Sequence, residues 1–435
     1  MKINPALDEH SETPIYRQLF DFIRSSILDG SISLGDRLPP TRELAGQLGL
    51  NRATVSAAYE LLEQEGLIRG HVGRGSFVAD GPISFATSRP IEELFPLDDF
   101  RVSTREVLAD PAIAAILQLG APQGYGPLRD YLSAGSGDIL VTSGCQQALD
   151  LLQRALAPAG STVLVEDPTY PGLKNVFENA GVRLAPLGSA GVRSTLAVVT
   201  PNFQNPTGRT MPLDERERLV RDMRDRRTRL VELDIYSALR YRGEPLPSLL
   251  ELDGGANVIQ IGSFSKIAFP GLRVGWVKAP RDVAMRLTEA KQWTDLHTDQ
   301  LAQAILLRFA ESGRLEAHRR RVVEHGARQL AAALSALERE MPTGTEFTRP
   351  DGGMNLWVRL PAPLDAETLA EEARRMGVAY LSSRYFAVGE PDPAAFRLSF
   401  GGLSPERIAR GVALLGEAFR RDTPVAPREF ATALV

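Results

Sequence analysis

Residues 258–273, VIQIGSFSKIAFPGLR, decide the reading of most of the chain. Val258–Gly262 is a short apolar run of buried-strand type. It stops in Ser263-Phe264-Ser265-Lys266, and Arg273 follows seven residues beyond the lysine. Working outward, the same grammar recurs. Leu230–Leu233 ends in Asp234-Ile235-Tyr236, and Leu196–Thr200 ends in Pro201-Asn202-Phe203-Gln204-Asn205-Pro206-Thr207-Gly208. Thr162–Glu166 ends in Asp167-Pro168-Thr169-Tyr170, and Ile139–Thr142 ends in Ser143-Gly144-Cys145-Gln146-Gln147. Val274–Val277 is a further strand candidate on the downstream side. Helical stretches alternate with these runs, which argues for βαβ units and a mostly parallel sheet. A long Arg-rich helix pattern covers 299–340, and a smaller α/β segment closes the chain with Met354–Leu360 and Phe396–Phe400 as strands.

Residues 14–78 read differently. Ile15, Leu19, Phe22, Ile23 and Ile27 give a first helix one apolar face, closed by Asp29-Gly30. After Pro39-Pro40, Thr41 is placed as the N-cap of a second helix ending near Leu48-Gly49, and Asn51 as the cap of a third through Val55, Ala58, Tyr59 and Leu62. Two short helices joined by a Gly-containing turn match a helix-turn-helix. Leu67-Ile68-Arg69 and Gly75-Ser76-Phe77-Val78 read as two strands around a Gly-rich tip, a wing. The next stretch, ADGPISFATSRPIEELFP, carries three prolines and no helical period, and reads as a linker.

Composition narrows the classes. The chain has 435 residues, 43% apolar and 24% charged, so wholesale disorder and fibrous repeats are excluded. Net charge is −4, so any nucleic-acid contact must be local. One cysteine excludes an internal disulfide framework and fits a reducing cytoplasm, the location expected in the absence of a signal-like or membrane-spanning apolar run. The 50 basic residues include only five lysines, Lys2, Lys174, Lys266, Lys278 and Lys291, so each lysine calls for a reason.

In open α/β sheets ligands sit beyond the carboxyl ends of the strands, and the informative residues here fall at those ends. A helix opening behind Gly144 offers free N–H groups to an anion. The set also supplies an amine, a carboxylate, an aromatic face and hydrogen-bond donors on separate loops. Those are the needs of pyridoxal 5′-phosphate: a lysine for an imine, an acid for the pyridine nitrogen and donors for a dianionic phosphate.

The order SG, DPxY, NPTG, DxY, SxSK, R over residues 96–435 resembles the fold-type I, class I/II aminotransferases, with a mostly parallel seven-stranded sheet and a smaller C-terminal α/β subdomain from about 320 to 435. The resemblance implies a Schiff base on Lys266 and pairing of Asp234 with the pyridinium nitrogen. It implies that Asn205 and Tyr236 reach the 3′-oxygen and that Tyr170 stacks on the ring. Ser263, Ser265, Arg273, Ser143 and the amides of Gly144, Cys145 and Gln146 would hold the phosphate. Arg397 would take a substrate α-carboxylate as a bidentate pair, and Tyr125 would contribute across a dimer interface. Residues 12–78, through LPPTRELAGQLGLNRATVSAAYELLEQEGLIRGHVGRGSFV, resemble the small α+β winged helix-turn-helix of GntR-type regulators. Joined by a linker over 79–95, the two resemble the MocR/GabR chimeric transcriptional regulators. Pro40 stands where that family has a serine, and GYGPLRDYLSAGSGDILVTSG is a compressed version of its usual segment.

Plainer readings compete. Residues 1–80 hold eight basic and eleven acidic residues, 8 − 11 = −3, which is poor for DNA by bulk charge. Five of the basic ones, Arg37, Arg42, Arg52, Arg69 and Arg74, nevertheless fall in the second helix, the recognition helix and the wing. Arg52 and Thr54 are placed on base edges, Arg42 on phosphate, and Gly73-Arg74 in the minor groove. Cys145 lacks a histidine companion motif and is read as a small residue whose amide meets phosphate, not as a nucleophile. No His/Cys/Asp spacing resembles a metal site, and His318 and His325 are placed on a solvated helix face. The resulting expectation is a homodimeric, PLP-dependent regulator of double-stranded DNA operators that senses an amine or amino acid, or PLP itself, through Lys266. The rival is an active aminotransferase of α-amino acids with an accessory DNA-binding domain.

Overall fold

The computed structural model describes residues 3–421 other than 4, 6, 9, 10, 12, 29, 30, 33, 34, 65, 72–74, 80 and 134–137. The chain divides into two compact units, Met1–Ser84 with Glu371–Ala379, and Phe85–Ala370 with Tyr380–Val435.

In the first unit, helices Ile15–Leu28, Thr41–Leu48 and Arg52–Gln64 enclose a small core. Leu19, Ile23, Leu38, Leu44, Val55, Ala58 and Leu62 are all fully buried there. Tyr59 is buried with them, and its hydroxyl donates to the Pro39 carbonyl at 2.8 Å, so the one polar atom of that ring is satisfied. Asn51 caps the third helix as expected, its Oδ1 accepting from Ala53 N at 2.9 Å. The second helix differs. Pro40 is its N-cap and no side chain caps it, so Thr41 is the first helical residue. The wing strands Ile68–His71 and Gly75–Val78 pair antiparallel; its tip, Gly73 and Arg74, and the Asp29-Gly30 stop lie outside the described residues.

The stretch expected to be a linker contains structure. Ile83–Ser84 is a strand paired in parallel with Val378–Ala379, and Ile83 N donates to the Gly377 carbonyl at 2.9 Å. Phe85 and Ile91 are buried. The prolines hid this, because a two-residue strand leaves no readable period.

The second unit is built on a seven-stranded sheet in the order Asp138–Thr142, Gly275–Ala279, Val258–Ser263, Arg229–Asp234, Leu196–Val199, Thr162–Val165, Arg183–Pro186. Only Gly275–Ala279 runs against its neighbours; the remaining pairs are parallel. Alternation along each strand feeds two cores. Val163, Val198, Val231, Ile259 and Ile261 pack with helices Cys145–Leu156 and Arg281–Asp295, while Leu164, Ala197, Leu230 and Val258 pack with Leu213–Asp225. Both faces are covered, which is why these strands read as continuous apolar runs. A four-stranded sheet lies toward the C-terminal end, in the order Glu346–Phe347, Asn355–Arg359, Ala395–Ser399, Leu381–Ser382.

Two expectations are corrected here, and one strand is added. The single helix over 299–340 is two helices, Gln300–Glu311 and Arg314–Glu340, broken where Gly313 takes the left-handed conformation. His318 does not face solvent; it is 1% exposed, inside the second of these helices' packed side. The edge strand Arg183–Pro186 escaped notice because its residues are half-exposed and it ends in proline. No helix among the described residues is long and apolar enough to cross a membrane.

Candidate cofactor and ligand site

Strand ends converge on one cavity of about 440 Å³ in the second unit. Ten of the anticipated residues line it: Cys145, Gln146, Tyr170, Asn205, Tyr236, Ser263, Ser265, Lys266, Arg273 and Arg397. Ser143, Gly144, Asp234 and Tyr125 do not, and each has a definite place. Asp234 lies between the lining residues Leu233 and Ile235, at the end of strand Arg229–Asp234. Tyr125 sits apart, packed among Phe100, Ile116 and Ile305, with its backbone N–H given to Gln303 Oε1 at 2.8 Å.

The loop behind Asp138–Thr142 carries the residues expected to form an anion cradle. Gly144 adopts φ 79°, ψ 174°, a region open to glycine alone. Its N–H is not free, since it donates to the Thr142 carbonyl at 2.7 Å; the donor role expected of that amide passes to Cys145 and Gln146, the first two helical residues, whose N–H groups have no acceptor within the helix. What Gly144 provides is room. A Cβ there would stand 2.4 Å from Arg273 Nη2. Arg273 itself is held at φ 54°, and its guanidinium donates to the Ser143 carbonyl at 3.5 Å. Opposite, Ser263 Oγ donates to Ser265 Oγ at 2.9 Å and accepts from Ser265 N at 3.1 Å. The helix N-terminus, two serines and an arginine line the same cavity, a donor set of the kind a phosphate needs.

Lys266 Nζ reaches the Ser88 carbonyl at 2.5 Å and stands 5.8 Å from the Tyr236 ring centre. Asp234 is the informative acid. Burial raises its pKa, while Ser237 and Asn202 donate to it and pull the other way. Asn202 is braced in turn by Arg216, which is fully buried and whose Nη2 donates to Asn202 Oδ1 at 2.7 Å. Even so, Asp234 Oδ1 is buried without a partner. A buried carboxylate oxygen left unsatisfied is costly, and it fits the protonated ring nitrogen of a pyridoxal cofactor.

Arg397 is 4% exposed. Its Nη1 donates to Asn205 Oδ1 at 2.9 Å, its Nη2 to the Ala86 carbonyl, and its Nε has no acceptor. Tyr170 leans over Gly172, where a Cβ would meet the ring at 2.4 Å, and burial pushes its hydroxyl up to about 12. The Cys145 thiol is likewise pushed up to about 12 by burial, so it stays protonated and is no nucleophile.

Sequence reasoning missed part of the wall. Ala86, Thr87 and Ser88 come from the stretch that reads as a linker, Leu381 from the two-residue strand Leu381–Ser382, which has no readable period, and Thr200 from the position just after strand Leu196–Val199. Arg216 was one arginine among several in LDERERLVRDMRD, with no local signal to single it out. In the first unit, Arg42 and Arg52 are exposed and Thr54 is half-buried, on the second and third helices.

Comparison with known proteins assigns a family to each part of the chain. The profile of the aminotransferase class I and II family matches residues 128–415, and that of the gntR family of bacterial regulatory proteins matches residues 15–78. The chain is 37% identical over 364 residues to a 2-aminoadipate transaminase of Thermus thermophilus, covering 78% of this chain and 90% of that one. It is 29% identical over 470 residues to the probable rhizopine catabolism regulatory protein MocR of Rhizobium meliloti, covering 95% of both. The crystal structure of an α-aminoadipate aminotransferase from Thermus thermophilus, complexed with N-(5′-phosphopyridoxyl)-L-leucine, superposes with a TM-score of 0.74 at 35% identity, over 78% of this chain and 92% of that one. The chain thus belongs to the aminotransferase class I and II family, in the MocR-type arrangement that sets a gntR-family winged helix ahead of a pyridoxal-phosphate-binding domain.

Proposed function

We propose that this DNA-binding regulator senses a small amine or amino acid, or pyridoxal 5′-phosphate itself, through Lys266 in the cytoplasm. The observation that carries the reading is the pairing of a complete cofactor constellation with a gntR-type winged helix in one chain. When bound, the cofactor supplies an aldehyde carbon that can pass from a lysine amine to the amine of a small molecule. The chain's residues then have distinct tasks. Lys266 would present the amine, Asp234 Oδ1 would accept a hydrogen bond from the protonated ring nitrogen, and Tyr170 would cover the ring. Arg273, Ser263, Ser265 and the Cys145 and Gln146 amides hold the phosphate. Arg397, its Nε still without an acceptor, orients an α-carboxylate. Arg52 and Thr54 read base edges and Arg42 a phosphate of a double-stranded operator. Ligand exchange at Lys266 shifts the population between arrangements of different DNA affinity.

The functional form is a homodimer. Leu117, Leu119 and Trp293 are 65%, 73% and 82% exposed, apolar surface that a second copy would cover, and Tyr125 would reach the partner's site across that contact.

The test uses full-length, cofactor-loaded protein with its own upstream DNA, read by anisotropy against a panel of amino acids and amines. A ligand-dependent change in DNA affinity is expected, lost in Lys266→Ala together with the visible absorbance and the borohydride-trapped lysine adduct. Rapid multiple turnover with a keto acid and no change in DNA affinity would instead establish an aminotransferase, the reading favoured by retention of Arg397.

A further inference from the structure

Lysine is scarce in this chain, and one lysine is hidden completely. Lys291, on helix Arg281–Asp295, is 0% exposed. Its Nζ donates to both oxygens of Asp295, at 2.6 and 2.7 Å. An ordinary i,i+4 pair of this kind belongs on a surface, where it is worth a few tenths of a kcal/mol. With its lysine fully buried and its aspartate side chain only 25% exposed, it is poorly explained as a stabiliser, because apolar side chains of similar volume often do as well or better. Asp295 is also badly placed electrostatically, being the last residue of its helix, where the backbone dipole is negative. Something else must explain why the carboxylate is held there.

Its other contact does. Asp295 Oδ2 accepts from Gln147 Nε2 at 2.6 Å, and Gln147 Oε1 accepts from Ser143 N at 2.7 Å. Ser143 is the residue at which strand Asp138–Thr142 turns into the cradle. Its carbonyl receives Arg273, and Gly144 follows it in the glycine-only conformation. Gln147 carries one donor and one acceptor end, so anchoring its amide nitrogen on an anion fixes which end faces Ser143. Burial without the ion pair would favour a neutral Lys291; the pair with Asp295 opposes that.

From this we infer that Lys291, through Asp295 and Gln147, is a positioning residue for the phosphate cradle: it locks the Ser143–Gly144 turn so that the Cys145 and Gln146 amides and Arg273 converge on one anion. None of the three side chains touches the cofactor in this scheme. The inference rests on the cofactor reading above, and its test separates the two.

Cofactor-free full-length protein is titrated with pyridoxal 5′-phosphate and with pyridoxal, which lacks the phosphate, and both are followed by visible absorbance. Lys291→Met and Gln147→Ala are each expected to weaken the phosphorylated ligand about tenfold, the loss of about one charge-assisted bond, with pyridoxal affected less than about twofold. The double variant should be no worse than the worse single variant, as members of one chain are non-additive. An unchanged ratio of the two affinities in either variant, or additive losses in the double variant, overturns the inference. Should Lys291→Met not fold, Gln147→Ala decides alone, since it leaves the ion pair intact. Wild-type protein that binds neither ligand would refute the cofactor reading itself.

Discussion

Arg397→Lys separates recognition of an amino acid from recognition of an amine. The guanidinium is enclosed, with Nη1 on Asn205 and Nη2 on the Ala86 carbonyl, while its Nε is buried with no acceptor. An α-carboxylate can take two parallel N–H bonds from such a fork. Lysine keeps the charge but offers a single ammonium, so one of the two bonds is lost. At about 1.5–3 kcal/mol for a bond to a charged group, the amino acid should bind about 10- to 150-fold more weakly. The amine formed by removing that carboxylate gains nothing from the fork and should change less than about twofold. Both ligands are titrated into cofactor-loaded wild-type and variant protein by absorbance. The ratio of their affinities is the readout, because loss of the Asn205 contact would act on both alike. A ratio unchanged by the substitution refutes the assignment of Arg397 to the carboxylate.

Two further predictions follow from geometry already described. Gly144→Ala places a Cβ 2.4 Å from Arg273 Nη2 and forces alanine into a glycine-only conformation; the backbone cost alone is about 1–3 kcal/mol. Equilibrium dialysis should find pyridoxal 5′-phosphate bound at least about tenfold more weakly, and wild-type affinity would show that the turn can yield. His318 is buried, and burial with the nearby Arg321 holds its pKa at about 4, below the unfolded value of 6.5. The unfolded chain therefore takes up a proton the folded one refuses. Stability is fully present above pH 6.5 and falls as the pH drops through 4, by up to about 3 kcal/mol. His318→Phe should flatten that part of a Tm-against-pH profile; a profile unchanged in slope between pH 6.5 and 4 would exclude His318 as its source.

Much of the site was legible because its chemistry hangs on strand ends. A continuous apolar run followed by DPTY, NPTG or SFSK announces both the strand and the loop it delivers, and those loops do meet in one cavity. What escaped depends on partners distant in sequence. Ile83–Ser84 is a strand only because Val378–Ala379 lies beside it, and Ala86–Ser88 reach the cavity from a stretch punctuated by proline. Gly144 was credited with a donor that the turn itself consumes. His318 looked solvated because arginines surround it in sequence, yet helix phase turns it inward. Arg216 and Lys291 have charges that normally face water, and only the acceptors gathered around them account for their burial.

The pairing of Ile83–Ser84 with Val378–Ala379 has a practical corollary for anyone dissecting this molecule. The DNA-reading module is discontinuous, since nearly three hundred residues intervene between its two pieces. A fragment cut after Ser84 would expose the hydrogen-bonding edge that residues 377–379 satisfy, and a bare edge invites self-association. Fusing a short peptide that spans 371–379 onto such a fragment is therefore the way to obtain the module in isolation.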